Sequence, residues 1–229
     1  MSTQRNLTLA LLIVVGVLTT SCGKKTDNPA QEASSVASTT AVSSAAPSTA
    51  TVEEDPELVK KREAMEFALA EDAIKNDPKG QWAVGAKASS SYTNDLNNTS
   101  SSYHPFRATG VPDTDGYGDR DTSWATKESD AGLEWIELEY AKPVNASQIK
   151  IRQNNAPGAI ISVDIYDETG SAHNIWKGPD ATQYKPSTIS WLNIPFEKTA
   201  FKTQRVKITL ATNAVSGWNE IDAVQLIGE

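Results

Sequence analysis

EWIELEY, the stretch Glu134–Tyr140, decides the fold class. Side chains alternate across an extended chain, so Ile136, Leu138 and Tyr140 fall on one face. Working outward, the same period recurs. Ala146–Arg152 brings Ile149 and Ile151 together, and Ile161–Tyr166 does the same for Ile161, Val163 and Ile165. Further strands are expected at His173–Trp176, Thr188–Leu192, Arg205–Leu210 and Asp222–Ile227. Turn-forming runs separate them at Asn154–Gly158, Glu168–Gly170, Gly178–Asp180 and Ser216–Gly217. There is no βαβ alternation and no internal repeat. The pattern implies an all-β chain, an antiparallel jelly-roll β-sandwich rather than an immunoglobulin-type one.

Just upstream lies Ala108–Thr126, ATGVPDTDGYGDRDTSWAT, with Asp113, Asp115, Asp119 and Asp121, three glycines and one proline. Glycine and proline break regular elements, and clustered carboxylates repel unless water or a cation compensates. The run is a loop. It suits either an oxygen-rich calcium site or a solvated acidic loop with Asx turns. It departs from the EF-hand pattern, because Tyr117 stands where Asp or Asn is needed.

The chain has 229 residues and a formal net charge of −8, with 38% apolar residues. An acidic chain without a basic cluster argues against nucleic acid as a partner. The single cysteine, Cys22, excludes an intrachain disulfide. Residues 1–21 have the form of a signal peptide, with Arg5 ahead of the apolar run Leu7–Leu18. That run is too short to span a bilayer, which takes ~20 apolar residues. Thr19-Thr20-Ser21-Cys22 resembles the bacterial lipoprotein box, except that Thr19 stands where Leu is usual. The resemblance implies that Cys22 is acylated, with a palmitate-type lipid, and anchors the chain in the cell envelope. Gly23 after the cysteine resembles lipoproteins sorted to the outer membrane, where the organism has one.

Residues 22–54 are rich in Ser, Thr and Ala without apolar periodicity, which implies a disordered tether. At ~30 residues its typical reach is ~30 Å. Residues 55–77 read as a helix, capped by Asp55 and opened by Pro56. Its narrow stripe of Leu58, Met65, Leu69 and Ala73 suits a coiled-coil-like pairing helix, one docked on the domain, or a spacer.

Residues 80–229 are the foldable domain, and from Gln81 onward they resemble the discoidin or coagulation-factor C-type domains, including bacterial galactose-binding carbohydrate modules. The segments that carry the resemblance are ATGVPD (Ala108–Asp113), GDRDTSWAT (Gly118–Thr126), EWIELEY, NNAPGAI (Asn154–Ile160) and the closing SGWNEIDAVQLIG (Ser216–Gly228). It implies an eight-stranded galactose-binding-like jelly roll, ligands held by loops at one end, and in many members a structural calcium. By motif position the implied ligand set is Asp113, Asp119, Thr122 and Glu220, with backbone carbonyls near Ala108 and Asp119 completing the shell. The disulfide that joins the domain ends in many eukaryotic members has no counterpart here.

Six tryptophans exceed the needs of one core of this size. Aromatic faces stack on sugar rings, and amides or guanidinium groups bind hydroxyls. Tyr117, Trp176, Trp191 and Trp218 are the candidate platform, with Arg152, Asn154, Asn155 and Asn213 as polar partners. Trp124 and Trp135 are expected in the core. His104 and His173 accompany no nucleophile motif, so a non-catalytic binding module is expected. Its partner is a carbohydrate or envelope glycan, or alternatively an envelope protein, beside the lipid bilayer reached through Cys22.

Overall fold

The computed structural model describes residues 54–229, so the signal peptide, Cys22 and all of the tether except Glu54 lie outside the described residues. Helix α1 spans Pro56–Lys75. The Asp55 carboxylate accepts the Glu57 N–H at 3.0 Å, satisfying one of the helix's unpaired amides. The apolar stripe Leu58, Met65 and Leu69 faces solvent, 58–70% exposed. It is the other side of α1, carrying Glu63, Glu71 and Ile74, that meets the domain, as the contacts below make clear.

Eight strands follow: β1 Gly80–Ala88, β2 Leu133–Val144, β3 Ala146–Asn155, β4 Ile160–Tyr166, β5 Ala172–Lys177, β6 Ser190–Pro195, β7 Thr203–Ala211 and β8 Glu220–Gly228. Their order is β5-β4-β7-β2-β1-β8-β3-β6, and every pairing is antiparallel. Strand β1 belongs to both layers. Gly80–Trp82 pairs with β8, and Ala83–Ala88 pairs with β2 after a register shift at Ala83/Gly85. The shift bends the strand around the corner of the sandwich and leaves Val84 exposed. The fold is thus the all-β jelly-roll sandwich that EWIELEY and its companions imply.

The core lies between the layers. Ile136, Leu138 and Tyr140 of β2 meet Ile149 and Ile151 of β3, Val206, Ile208 and Leu210 of β7, and Val224 and Leu226 of β8, all buried. Trp124 closes one end of the core at 0% exposure. Two expectations fail here. Trp135 is half-buried on the outer face, with the Lys207 ammonium 4.7 Å from its ring centre. Alternation demands this, because its flanking partner Ile136 points inward. Ile161 is also only half-buried, and Ile160 takes the core position beside Val163 and Ile165. The cause is a register shift between Ile160 and Ser162 where β4 pairs with β7, which moves one residue across the sheet.

Helix α1 crosses the outer face of the β3–β8 layer. Gln225 Nε2 donates to the Ile74 carbonyl at 2.7 Å, Lys150 lies 3.6 Å from Asp77, and Lys185 pairs with Glu63. The central contact is Arg152, whose Nε donates to Glu71 at 2.7 Å.

Candidate functional site

Between β1 and β2 runs a long connection, residues 89–132, that the sandwich alone does not hold. Two buried carboxylates from β8 hold it. Glu220, 1% exposed, accepts on one oxygen from Asn154 Nδ2 (2.5 Å), Ser123 Oγ (2.7 Å) and the Arg120 N–H (3.1 Å). Asn155 Nδ2 approaches its other oxygen at 3.3 Å. Burial pushes the Glu220 carboxyl up to about 7; its Ser123, Asn154 and Arg120 donors pull it down, and Asp119 repels it. Asp222 accepts from the Thr114 N–H at 3.1 Å and from Arg152 Nη1 at 2.5 Å. Arg152 Nη1 also reaches the Thr114 carbonyl at 3.0 Å. One guanidinium therefore ties α1, the loop, β3 and β8 together. Next to these, Trp124 exchanges both backbone hydrogen bonds with Ile221, extending β8's pairing into the loop.

On this base two connections converge, 89–132 and the one between β7 and β8. Trp218, in the β7–β8 connection, donates Nε1–H to the Thr126 carbonyl at 3.1 Å. The Tyr92 N–H bonds the Ala125 carbonyl at 3.0 Å, and the Tyr103 N–H bonds the Asp121 carbonyl at 3.1 Å. Tyr92 meets Tyr103 edge-on at 5.3 Å between ring centres and meets Trp218 at 5.4 Å. The Tyr103 hydroxyl donates to Asp119 Oδ1 at 2.7 Å. Burial first, then that bond, raises its pKa well above the ordinary phenol range, so it stays a donor. Tyr92, Tyr103, Asp119, Ala125 and Trp218 enclose a pocket of about 140 Å³. Tyr103 holds φ at 58°, a left-handed backbone that costs a non-glycine residue roughly 1–3 kcal/mol. The surrounding network sustains that strain, and the result is an aromatic side chain aimed into the pocket.

The sequence-stated candidates distribute unevenly around it. Trp218 and Asp119 line the pocket. Tyr92 and Tyr103 escaped sequence reasoning. Each ends a Ser-Ser-Ser-Tyr run, an aromatic stranded among serines, and that was the available signal. Tyr117 is half-buried in the same connection but outside the pocket, and Asn213 is exposed in the short 3-10 turn Thr212–Ala214. Asn154 and Asn155 serve Glu220. Arg152, with its side chain 5% exposed, is committed to the Glu71–Asp222 network and presents no open surface. Trp191 pairs across the sheet with Arg152 and packs near Trp82, with ring centres 6.4 Å apart. Trp176 is half-buried on β5 against the core.

The calcium set does not assemble. Glu220 is occupied by protein donors, Thr122 Oγ1 by Thr114 Oγ1 at 2.8 Å, and Asp119 is turned to Tyr103 on the pocket side. Asp113 is exposed, its pKa raised by partial burial and by the like charge of Asp222. Among the described residues no three His, Cys, Asp or Glu side chains gather as a metal shell. Hydrogen bonds to Glu220 and Asp222 do the clamping here, and this arrangement does not fit calcium, which takes six to eight oxygens.

A second cleft, about 520 Å³ and more open, lies beside the β4–β5 turn, lined by Tyr166, Asp167, Lys202 and Arg205 among others. Its aromatic face is already covered, since the Arg205 guanidinium sits 4.0 Å over the Tyr166 ring. The smaller pocket is the one whose aromatic groups remain available.

The matched segment includes every strand and every residue of both carboxylate clamps: the family model for pappalysin-1, SD scarf domain, C-terminal, matches residues 71–229. The chain belongs to this family. The match begins within α1, at the Glu71 that holds Arg152. A comparison with curated proteins gave no match. Among solved structures, the chain is similar to chitosan-binding module 1 from a chitosanase/glucanase of Paenibacillus sp. IK-5. The two share 14% identity at a TM-score of 0.44, covering 63% of this chain and 94% of that one. It is also similar to CpGH89CBM32-6 of Clostridium perfringens, at 10% identity and TM-score 0.40, covering 68% and 98%. A third is the CBM32 of AlyQ in complex with 4,5-unsaturated mannuronic acid, at 16% identity and TM-score 0.41, covering 65% and 97%.

Proposed function

We propose that this SD scarf domain is a non-catalytic glycan-binding module, presented from the cell envelope on a lipid-anchored tether. One observation carries the reading: the pocket of Tyr92, Tyr103, Trp218 and Asp119 where the β1–β2 and β7–β8 connections meet. Aromatic walls match the apolar face of a sugar ring, and a carboxylate among them accepts hydrogen bonds from the ligand. His104 has both ring nitrogens engaged, by the Phe106 N–H and the Leu96 carbonyl, His173 pairs with Asp167, and no nucleophile motif accompanies either. Acylation at Cys22 supplies the anchor, in the outer membrane where the organism has one. The direct test is binding of the full chain to an array of envelope and extracellular glycans, repeated with Trp218→Ala. Glycan retention that disappears in the variant supports the reading; a blank array refutes it. Loss of palmitate incorporation on Cys22→Ala tests the anchor.

A second reading has its own support. Leu58, Met65 and Leu69 form an exposed apolar stripe on α1, which suits an envelope protein partner. Crosslinking that captures one defined protein and is lost on substituting the stripe with serine, together with a blank array, favours this reading over the first.

A further inference from the structure

Resting on the glycan-binding reading, we infer that the pocket selects a protonated amine: the glycan unit it takes is an amino sugar with a free ammonium group, seated between Tyr92, Tyr103 and Trp218 and paired with Asp119. Size is the first constraint. A water occupies about 30 Å³ of liquid, and ligand pockets for whole small molecules run from about 300 Å³ upward. At about 140 Å³ the pocket admits a ring substituent with part of its ring, and leaves the remaining oligosaccharide on the surface.

Charge is the second. Asp119 Oδ1 takes the Tyr103 hydroxyl, yet a carboxylate has lone pairs for further donors. Among the described residues no Lys, Arg or His forms an ion pair with Asp119, although ion pairs of that kind occupy Glu71, Glu137, Asp167 and Asp222. The charges that act most strongly on the Tyr103 hydroxyl beside it are Asp119, Glu220 and Asp121, all carboxylates. Ser102 Oγ, a neutral group, is what approaches Asp121 at 3.2 Å. A pocket with a negative field and three aromatic walls favours a cation twice over, through its ion-pairing carboxylate and through the ring quadrupoles. A neutral hydroxyl gains only the hydrogen bond. The chain's net charge of −8 further steers a polycationic glycan toward it.

The test compares oligomers of glucosamine with N-acetylglucosamine oligomers of equal length, titrated into the full chain at a pH where the amine is protonated. The glucosamine oligomer is expected to bind at least about tenfold tighter. Asp119→Asn keeps an acceptor for Tyr103 and removes the charge, so it lowers affinity for the amine form about tenfold and leaves the acetylated form unchanged. Trp218→Ala weakens both. Asp115→Asn, an exposed acid of the same loop outside the pocket, leaves both unchanged. Equal binding of the two oligomers, an indifferent Asp119→Asn, or an equal loss in Asp115→Asn overturns the inference in favour of neutral recognition or diffuse charge. If only neutral glycans bind, and do so in a Trp218-dependent way, the amine inference fails while the glycan reading stands. If no glycan binds, both fail.

Discussion

Replacing Arg152 with Met separates a structural arginine from a ligand-binding one. The wild-type side chain is 5% exposed, and Asp222, its partner at 2.5 Å, is 0% exposed. Met preserves much of the packing volume but leaves the buried Asp222 carboxyl with only the Thr114 N–H as donor, and strips the Thr114 carbonyl of its Arg152 donor. Breaking a buried pair by removing one partner costs about 3–5 kcal/mol, mostly as the desolvation of the orphaned charge. Glu71, at the helix edge, recovers water and adds little. For a domain of this size each kcal/mol is worth about 2–4 °C, so the melting temperature should fall by roughly 6–20 °C. Thermal and urea unfolding of the full chain measure it. The double variant Arg152→Met, Asp222→Leu removes both charges and should regain most of the loss, which shows as strong coupling in a double-mutant cycle. A single-variant loss below about 1 kcal/mol would refute the argument, because an arginine that dispensable to the fold is free to serve a ligand.

Three further predictions concern the same framework. Calcium or a chelator should leave the melting temperature unmoved, whereas Glu220→Ala, which orphans the donors of Asn154, Ser123 and Arg120, should expose the 89–132 loop to limited proteolysis; a rise of several degrees with calcium reinstates the metal. Trp124→Ala should cost about 3–5 kcal/mol and Trp135→Ala under about 1 kcal/mol, since one leaves a core cavity and the other loses only a surface cation–π contact; equal losses in denaturant titration contradict the assigned faces. Asp167 is held well below the ordinary carboxylate range by the Thr169 hydroxyl, then by His173 and the turn amides. Its folded pKa lies below its unfolded value of about 3.9, so its contribution is present above that pH and fades as pH falls below it. Asp167→Asn should therefore be less stable than wild type at pH 7, with the deficit shrinking as pH falls from about 4 toward 2, and a deficit that does not change over that range excludes linkage.

Period-two patterning located β2 through β8 because alternating bulky side chains leave a direct trace in sequence. β1, Gly80–Ala88, left none: GQWAVGAKA lacks bulky alternation. Part of the reason is contact. A Cβ on Gly80 would stand 2.3 Å from Gln225 Nε2, so a larger residue there would have to displace the glutamine that bonds the Ile74 carbonyl. Trp135 was misplaced through residue type, although the alternation that found its strand already put it outside. The final-strand carboxylate Glu220 was legible as a partner of the acidic loop, but its hydrogen-bonded state was not, because its donors come from Arg120, Ser123, Asn154 and Asn155 on separate segments.

Sequence alone thus determined the all-β class, the strands of both layers apart from their shared corner, and the acidic run as a loop, whereas its tie to β8 was implied only by the family resemblance. Those follow from local periodicity and turn chemistry, which act over a few residues. Tertiary structure decided which groups form a site. Tyr92, Tyr103, Asp119 and Trp218 span more than half of the domain in sequence and meet only because β1, β2 and β8 bring their loops to one end. Likewise, burial converted Arg152 from an available guanidinium into a fastener, since exposure belongs to the packed chain and leaves no mark on a single residue.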